Sequence, residues 1–132
     1  MTLGVRGVVV NAEGRVLLVR HTYTPGWHFP GGGVEKAQTC EEAARRELLE
    51  EAGIIAEGPL GLVGIYDNRA SFPGDHVVVY DVPVWTQAQA TQRGEIAEVG
   101  FFDPASPPVG VTGGTQRRLD ELFAGAAISD RW

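Results

Sequence analysis

The sequence predicts an α/β sandwich built on a mixed β-sheet. Three observations lead there. Runs of β-branched residues with turn signals lie on both sides of one well-delimited helix, a second amphipathic helix follows near the end, and nothing in the 132 residues marks a repeat or a linker. Length and a 43% hydrophobic content suit one domain over residues 1–132 with a substantial core.

The elements can be justified in order. Val5 to Val10 is β-branched and meets the turn Asn11-Ala12-Glu13-Gly14, after which Val16 to Arg20 reads as a second strand; the pair is expected to form a hairpin. His21 to Pro30, rich in aromatics and turn residues, reads as a loop that delivers the chain to Gly31, Gly32 and Gly33, where backbone can approach a ligand closely. His28, between Trp27 and Phe29, is expected to face solvent. Thr39 and Glu42 form a capping box that opens a helix at about Cys40, and Gly53, the residue that most easily turns left-handed, closes it after Ala52.

Pro59 to Asn68 alternates as a strand, Pro73-Gly74 marks a turn, and His76 to Val84 returns as a β-branched strand with Pro83 at its frayed end. These two form a second expected hairpin. Trp85 to Gly94 is polar and reads as a long exposed loop, and Val99 to Asp103 is a short strand leading into the rigid Pro104-Ala105-Ser106-Pro107-Pro108 connection. The last helix runs from about Gly114 to Ala124, with Leu119, Leu122 and Phe123 on its apolar stripe.

Charge and composition exclude several classes. A net charge of −6 with 11 scattered basic residues argues against duplex nucleic acid as a partner, because such affinity rests on clustered Lys and Arg. A small polyanion remains compatible if a cation bridges it to carboxylates. No apolar run reaches the roughly 20 residues of a membrane span and no basic-then-apolar segment opens the chain, so a cytoplasmic protein with no membrane partner is expected. Cys40 is the only cysteine, which rules out an internal disulfide.

On the first helix, Glu47, Glu50 and Glu51 fall within an arc of about 100°. Glu47 and Glu51 are a like-charge i,i+4 pair, which costs stability unless something positive lies over them. Hard divalent cations take oxygen ligands, often one or two carboxylates with waters and phosphates, so this stripe predicts Mg²⁺ binding, with Mn²⁺ as an alternative.

The stretch from Gly32 to Ile54 resembles the Nudix box, in which a glycine is followed after five residues by Glu and after seven more by Arg-Glu-hydrophobic-x-Glu-Glu-x-Gly-hydrophobic. Gly32, Arg46, Glu47, Leu48, Glu50, Glu51, Gly53 and Ile54 match in register; the first Glu is replaced by Gln38. The resemblance implies a Nudix-like α/β/α sandwich and Mg²⁺-dependent hydrolysis of a nucleoside diphosphate linked to another moiety. It further implies that Glu47, Glu50, Glu51 and the carbonyl of Gly31 hold the metal, and that Arg46 is a charge that holds the carboxylates, its usual partner being the acid absent at Gln38.

The base that receives the water proton must be a carboxylate near the metal; Glu47 is one candidate, and Glu95 and Glu98 are the others because Glu95-Ile96-Ala97-Glu98 resembles the segment where many family members carry an additional acid. Arg20, Trp27, Phe29 and Tyr66 are the candidate substrate contacts, Trp27 and Phe29 through stacking on a base. The substrate expected is a small nucleotide, with a nucleotide-sugar, ADP-ribose, an oxidised nucleoside triphosphate and a capped RNA end all open. The assembly expected is a monomer or homodimer. Two other readings stand beside the enzyme: a weak or inactive Nudix domain that binds a nucleotide or a partner, favoured by Gln38, and an acidic helix on an interaction module.

Overall fold

The structure is a computed structural model that describes residues 1–91 and 94–132. Along the chain run β1 (Thr2–Val8), β2 (Val16–His21), β3 (Trp27–His28), β4 (Gly31–Gly33), α1 (Cys40–Ala52), β5 (Ile54–Ala56), β6 (Gly61–Asp67), β7 (Asp75–Asp81), β8 (Trp85–Gln87), β9 (Ile96–Phe102) and α2 (Gly113–Phe123). The strands form sheets of order β4-β1-β7-β6, β3-β2-β9 and β5-β8. The first is mixed, since β1 runs parallel to β7, with Val5 opposite Val78, while β4 and β6 join antiparallel.

Alternation along the central strands makes the layers. On β7, Val77 and Val79 join Tyr66, Phe29 and Leu119 of α2 in one core cluster, whereas Val78 packs with Val5 and with Ala43 and Ala44 of α1 in another. On β2, Val16 and Leu18 fall in the α2 cluster, and Leu17 and Val19 meet Leu48 and Ala52 of α1. A period of two places successive side chains on opposite faces, so the sheets lie between two helices. Leu48 is fully buried and its Cδ2 lies 3.0 Å from where a Cβ on Gly7 would stand. Truncating Leu48 to Ala should therefore cost about 2–5 kcal/mol.

The helix signals are realised. Thr39 Oγ1 accepts from the Glu42 N–H at 3.0 Å, Glu42 Oε1 accepts from the Thr39 N–H at 2.9 Å, and Gly53 closes α1 at φ 68°. The hairpin of β6 with β7 forms as expected, although β7 ends at Asp81.

The first expected hairpin does not form. Pairing is confined to the turn, with the Val10–Val16 bridge and the Leu17 N–H donating to the Val9 carbonyl at 2.9 Å, while β1 itself pairs with β7 over Thr2–Val8 and β2 joins a different sheet. The expected loop over His21 to Pro30 contains β3, which pairs with β2, and the three glycines form β4 against β1. Trp85 to Gln87 is strand β8 against β5, not loop, with the Trp85 ring stacked on Phe101. Gln92 and Arg93 of that expected loop lie outside the described residues. The last strand begins at Ile96 rather than Val99, which puts Glu98 inside it.

Candidate active site

Ala43, Ala44, Leu48 and Ala52 anchor α1 on the sheets, and that stripe carries Glu51 inward with it: Glu51 is 6% exposed. Its Oε1 accepts from the Gly31 N–H at 2.8 Å and its Oε2 lies 2.7 Å from Nε2 of the buried His21. Glu47 is half-buried beside it. Burial raises the Glu47 carboxyl above its ordinary range, Glu51 and Glu50 push the same way, and Arg46 and Arg6 oppose them. Arg46 reaches Glu50 at 3.0 Å, Glu47 at 3.2 Å and Glu35 at 3.6 Å.

Gly31, Glu35, Arg46, Glu47, Glu50 and Glu51 line one pocket of about 270 Å³, together with Gly32, Gly33, Tyr23 and Glu95. Glu95 is tethered there by its backbone, whose carbonyl accepts from the Thr22 N–H at 3.0 Å. The glycines are required by space. A Cβ on Gly31 would stand 1.9 Å from the Val5 carbonyl oxygen, and one on Gly32 would stand 2.7 Å from Glu47 Oε1, inside the pocket. The donor set, carboxylates with a backbone cradle that a methyl group would fill, suits a hard divalent cation. Among the described residues no three metal-ligating side chains already converge in coordination geometry. Arg46, Gly31 and His21 hold the carboxylates instead.

The structure therefore brings Glu47, Glu50, Glu51, Gly31, Arg46 and Glu95 together and separates the remaining candidates from them. Glu98 lies on β9 opposite Arg20, and the two are paired to each other at 2.6 Å on an exposed surface. Trp27, Phe29 and Tyr66, expected to touch substrate, are corrected to core residues at 8%, 0% and 3% exposure. Trp27 packs edge-on against Phe102, and Tyr66 lies under the Arg118 guanidinium, 3.9 Å from the ring centroid. With so little of any of the three exposed, none presents a free face to a base. His28 is likewise not solvent-facing: burial, with Arg6 and His21 adding, pushes its imidazole down to about 4, and its Nε2 is enclosed without a hydrogen-bond partner among the described residues.

Several participants were missed. His21 carried no local signal, since its partner Glu51 lies 30 residues away. Glu35 was overlooked although it stands three residues before Gln38, whose Oε1 accepts from the Glu35 N–H at 3.1 Å. The larger omission is a cavity of about 560 Å³ lined by Arg6, Arg69, Arg117 and Arg131, together with His28, Asp67, Asn68, Trp132 and the start of α2. Four of the 11 basic residues expected to be scattered thus surround one space. Arg6 and His28 connect it to the carboxylate pocket: Glu51 and Glu47 act on the Arg6 charge, which burial pulls down, and the His28 and His21 rings lie 5.5 Å apart.

The chain is similar to known proteins in sequence and in fold. The NUDIX domain model matches residues 1–122. A protein of Bacillus subtilis (strain 168) named "Putative 8-oxo-dGTP diphosphatase" is 30% identical over 125 residues, 95% of this chain and 82% of that one. An RNA pyrophosphohydrolase of Halorhodospira halophila is 49% identical over 47 residues, which is 36% of this chain and only 26% of that protein. Among solved structures, a MutT NUDIX hydrolase from Burkholderia pseudomallei superposes with a TM-score of 0.80 at 25% identity, covering 92% of this chain and 98% of that one. One titled UDP-X diphosphatase superposes at 0.70, also at 25% identity, covering 94% and 63%. With the family model spanning both helices nearly in full and the box residues gathered in one pocket, the chain belongs to the NUDIX domain family.

Proposed function

We propose that the protein is a pyrophosphohydrolase that depends on Mg²⁺, or on Mn²⁺ in its place, and cleaves a nucleoside diphosphate linked to another moiety. The observation that carries this reading is that Glu95, from just before β9, lines the same pocket as Glu47, Glu50 and Glu51 of α1. In this reading Glu47, Glu50, Glu51 and the Gly31 carbonyl hold the cation. When bound, the cation supplies Lewis-acid chemistry to the diphosphate and to the attacking water. The residues do the rest. Arg46 keeps three neighbouring carboxylates from repelling one another while the cation is away. Glu95 accepts the water proton, with Glu47 as the other candidate because its raised carboxyl holds a proton more readily than an ordinary one.

The organic half of the substrate occupies the arginine-lined cavity. Guanidinium groups offer planar arrays of donors that match phosphate oxygens and the acceptor edge of a base, and the Arg6 charge among them is felt by Glu51 and Glu47. A binding domain without activity is the second reading, and Gln38 is its support. Against it stands Glu35, which supplies Arg46 with the loop carboxylate that Gln38 lacks.

The test is a Mg²⁺-dependent screen, read by chromatography of the phosphorylated products, over oxidised and ordinary nucleoside triphosphates, ADP-ribose, nucleotide-sugars and 5′-capped RNA. At least one should be turned over, and Glu51→Gln should lower that rate by about 100-fold or more while the fold persists. Full activity in Glu51→Gln would sink the site assignment.

A further inference from the structure

We infer that His21 is a positioning residue for Glu51, setting the carboxylate in the orientation from which it takes up a divalent cation. The inference rests on the reading of Glu51 as a cation ligand and adds a residue that lies outside the box motif.

The geometry is specific. Among the described residues Glu51 has one protein donor on each oxygen, the Gly31 N–H on Oε1 at 2.8 Å and His21 Nε2 on Oε2 at 2.7 Å. A carboxylate that serves as a cation ligand is ionised and only accepts, so in that role of Glu51 the imidazole donates from Nε2. A carboxylate offers about four lone-pair sites, so two donors fix its rotation and leave lone pairs directed at the pocket. Removing either donor frees the group to turn about its last bond. Both side chains are buried, at 9% and 7% exposure, so water cannot readily substitute for the lost partner.

His21 is itself held. β2 and β9 slip register between Arg20 and His21, and alternation from Leu17 and Val19 directs His21 to the α1 side. Its ring stacks on Tyr23 at 5.3 Å and 14° and meets His28 at 5.5 Å. A donor locked behind a ligand in this way is the usual means of orienting metal-binding carboxylates, and losing one typically costs 10- to 100-fold in metal affinity.

The test compares His21→Phe, which keeps the ring but not the donor, with His21→Gln, whose amide nitrogen can stand where Nε2 stands. Mn²⁺ affinity is read by electron paramagnetic resonance on the substrate-free protein, with kcat and KM measured alongside and thermal midpoints checking the fold. His21→Phe should weaken Mn²⁺ binding by about 10-fold or more and lower kcat with little change in KM at saturating metal. His21→Gln should stay close to wild type. If the phenylalanine variant does not fold, His21→Asn, whose amide stops short of Glu51, takes its place. Wild-type affinity in the donor-less variant, or an equal loss in His21→Gln, overturns the inference. A wild-type protein that binds no Mn²⁺ overturns the metal reading itself, and the inference with it.

Discussion

Arg20 and Glu98 face each other in register across β2 and β9, and the Arg20 guanidinium donates to Glu98 Oε1 from Nη2 at 2.6 Å and Nε at 3.2 Å. This exposed pair explains why two residues expected at the active site stand apart from it. Glu95, three residues earlier and on no strand, lines the carboxylate pocket instead. Glu95→Gln should lower kcat by about 100-fold with little change in KM, the size and place of a lost proton acceptor. Glu98→Gln should leave kcat within about twofold, because an exposed ion pair contributes no more than about 1 kcal/mol. Steady-state kinetics of both variants, with the pH–rate profile of Glu95→Gln, decides the matter. Wild-type rates in both would move the role to Glu47.

Arg46 draws on Glu35 where the family pattern has an acid at Gln38. Glu35→Gln should reduce turnover by about two- to fivefold, the scale of an exposed ion pair, and adding Gln38→Glu should restore it. A double variant no better than the single one would mean that a loop carboxylate is not what Arg46 needs.

Gly31 and Gly32 are adjacent, but they should fail differently. A methyl on Gly31 collides with the Val5 carbonyl across the β1–β4 pair, where backbone cannot yield. Gly31→Ala should therefore lower stability by about 2–4 kcal/mol. The methyl of Gly32→Ala meets only the end of the Glu47 side chain, which can swing away. That variant should hold its stability to within about 1 kcal/mol while losing activity. Urea melts set beside the rates separate the two effects, and a stable Gly31→Ala would contradict the packing described.

His28 should make the fold acid-sensitive. Its imidazole titrates near 6.5 when unfolded and about 4 when folded. Between those values the unfolded chain binds a proton that the folded one refuses, so this contribution is complete above about pH 6.5 and is lost as the pH falls toward 4. The ring is only half-buried, so after solvent screening the loss by pH 5 should be on the order of 1 kcal/mol. His28→Gln should lose that much less between pH 7.5 and pH 5 in urea titrations. Parallel curves for the two proteins would refute this.

Much was legible in the chain because its causes are local. The capping box couples Thr39 to Glu42 three residues on, Gly53 needs no distant partner to turn left-handed, and helical geometry alone places Glu47, Glu50 and Glu51 on one stripe. Pairing between distant strands is not local. Whether Val5 lies against Val78 or against the strand after the Asn11 turn depends on which register buries more surface, and neither segment encodes that by itself. The same limit hid the fate of the aromatics: Trp27 and Phe29 could equally have faced a ligand until the α2 cluster closed over them. His21 reaches Glu51, Glu35 reaches Arg46, and Arg6, Arg69, Arg117 and Arg131 meet around one cavity only after the sheets and helices are assembled. The sequence by itself determined the carboxylate helix and its two ends, whose geometry is set within a few turns of backbone. The tertiary structure decided what those carboxylates face, because burial and charge contacts depend on residues that only folding makes neighbours.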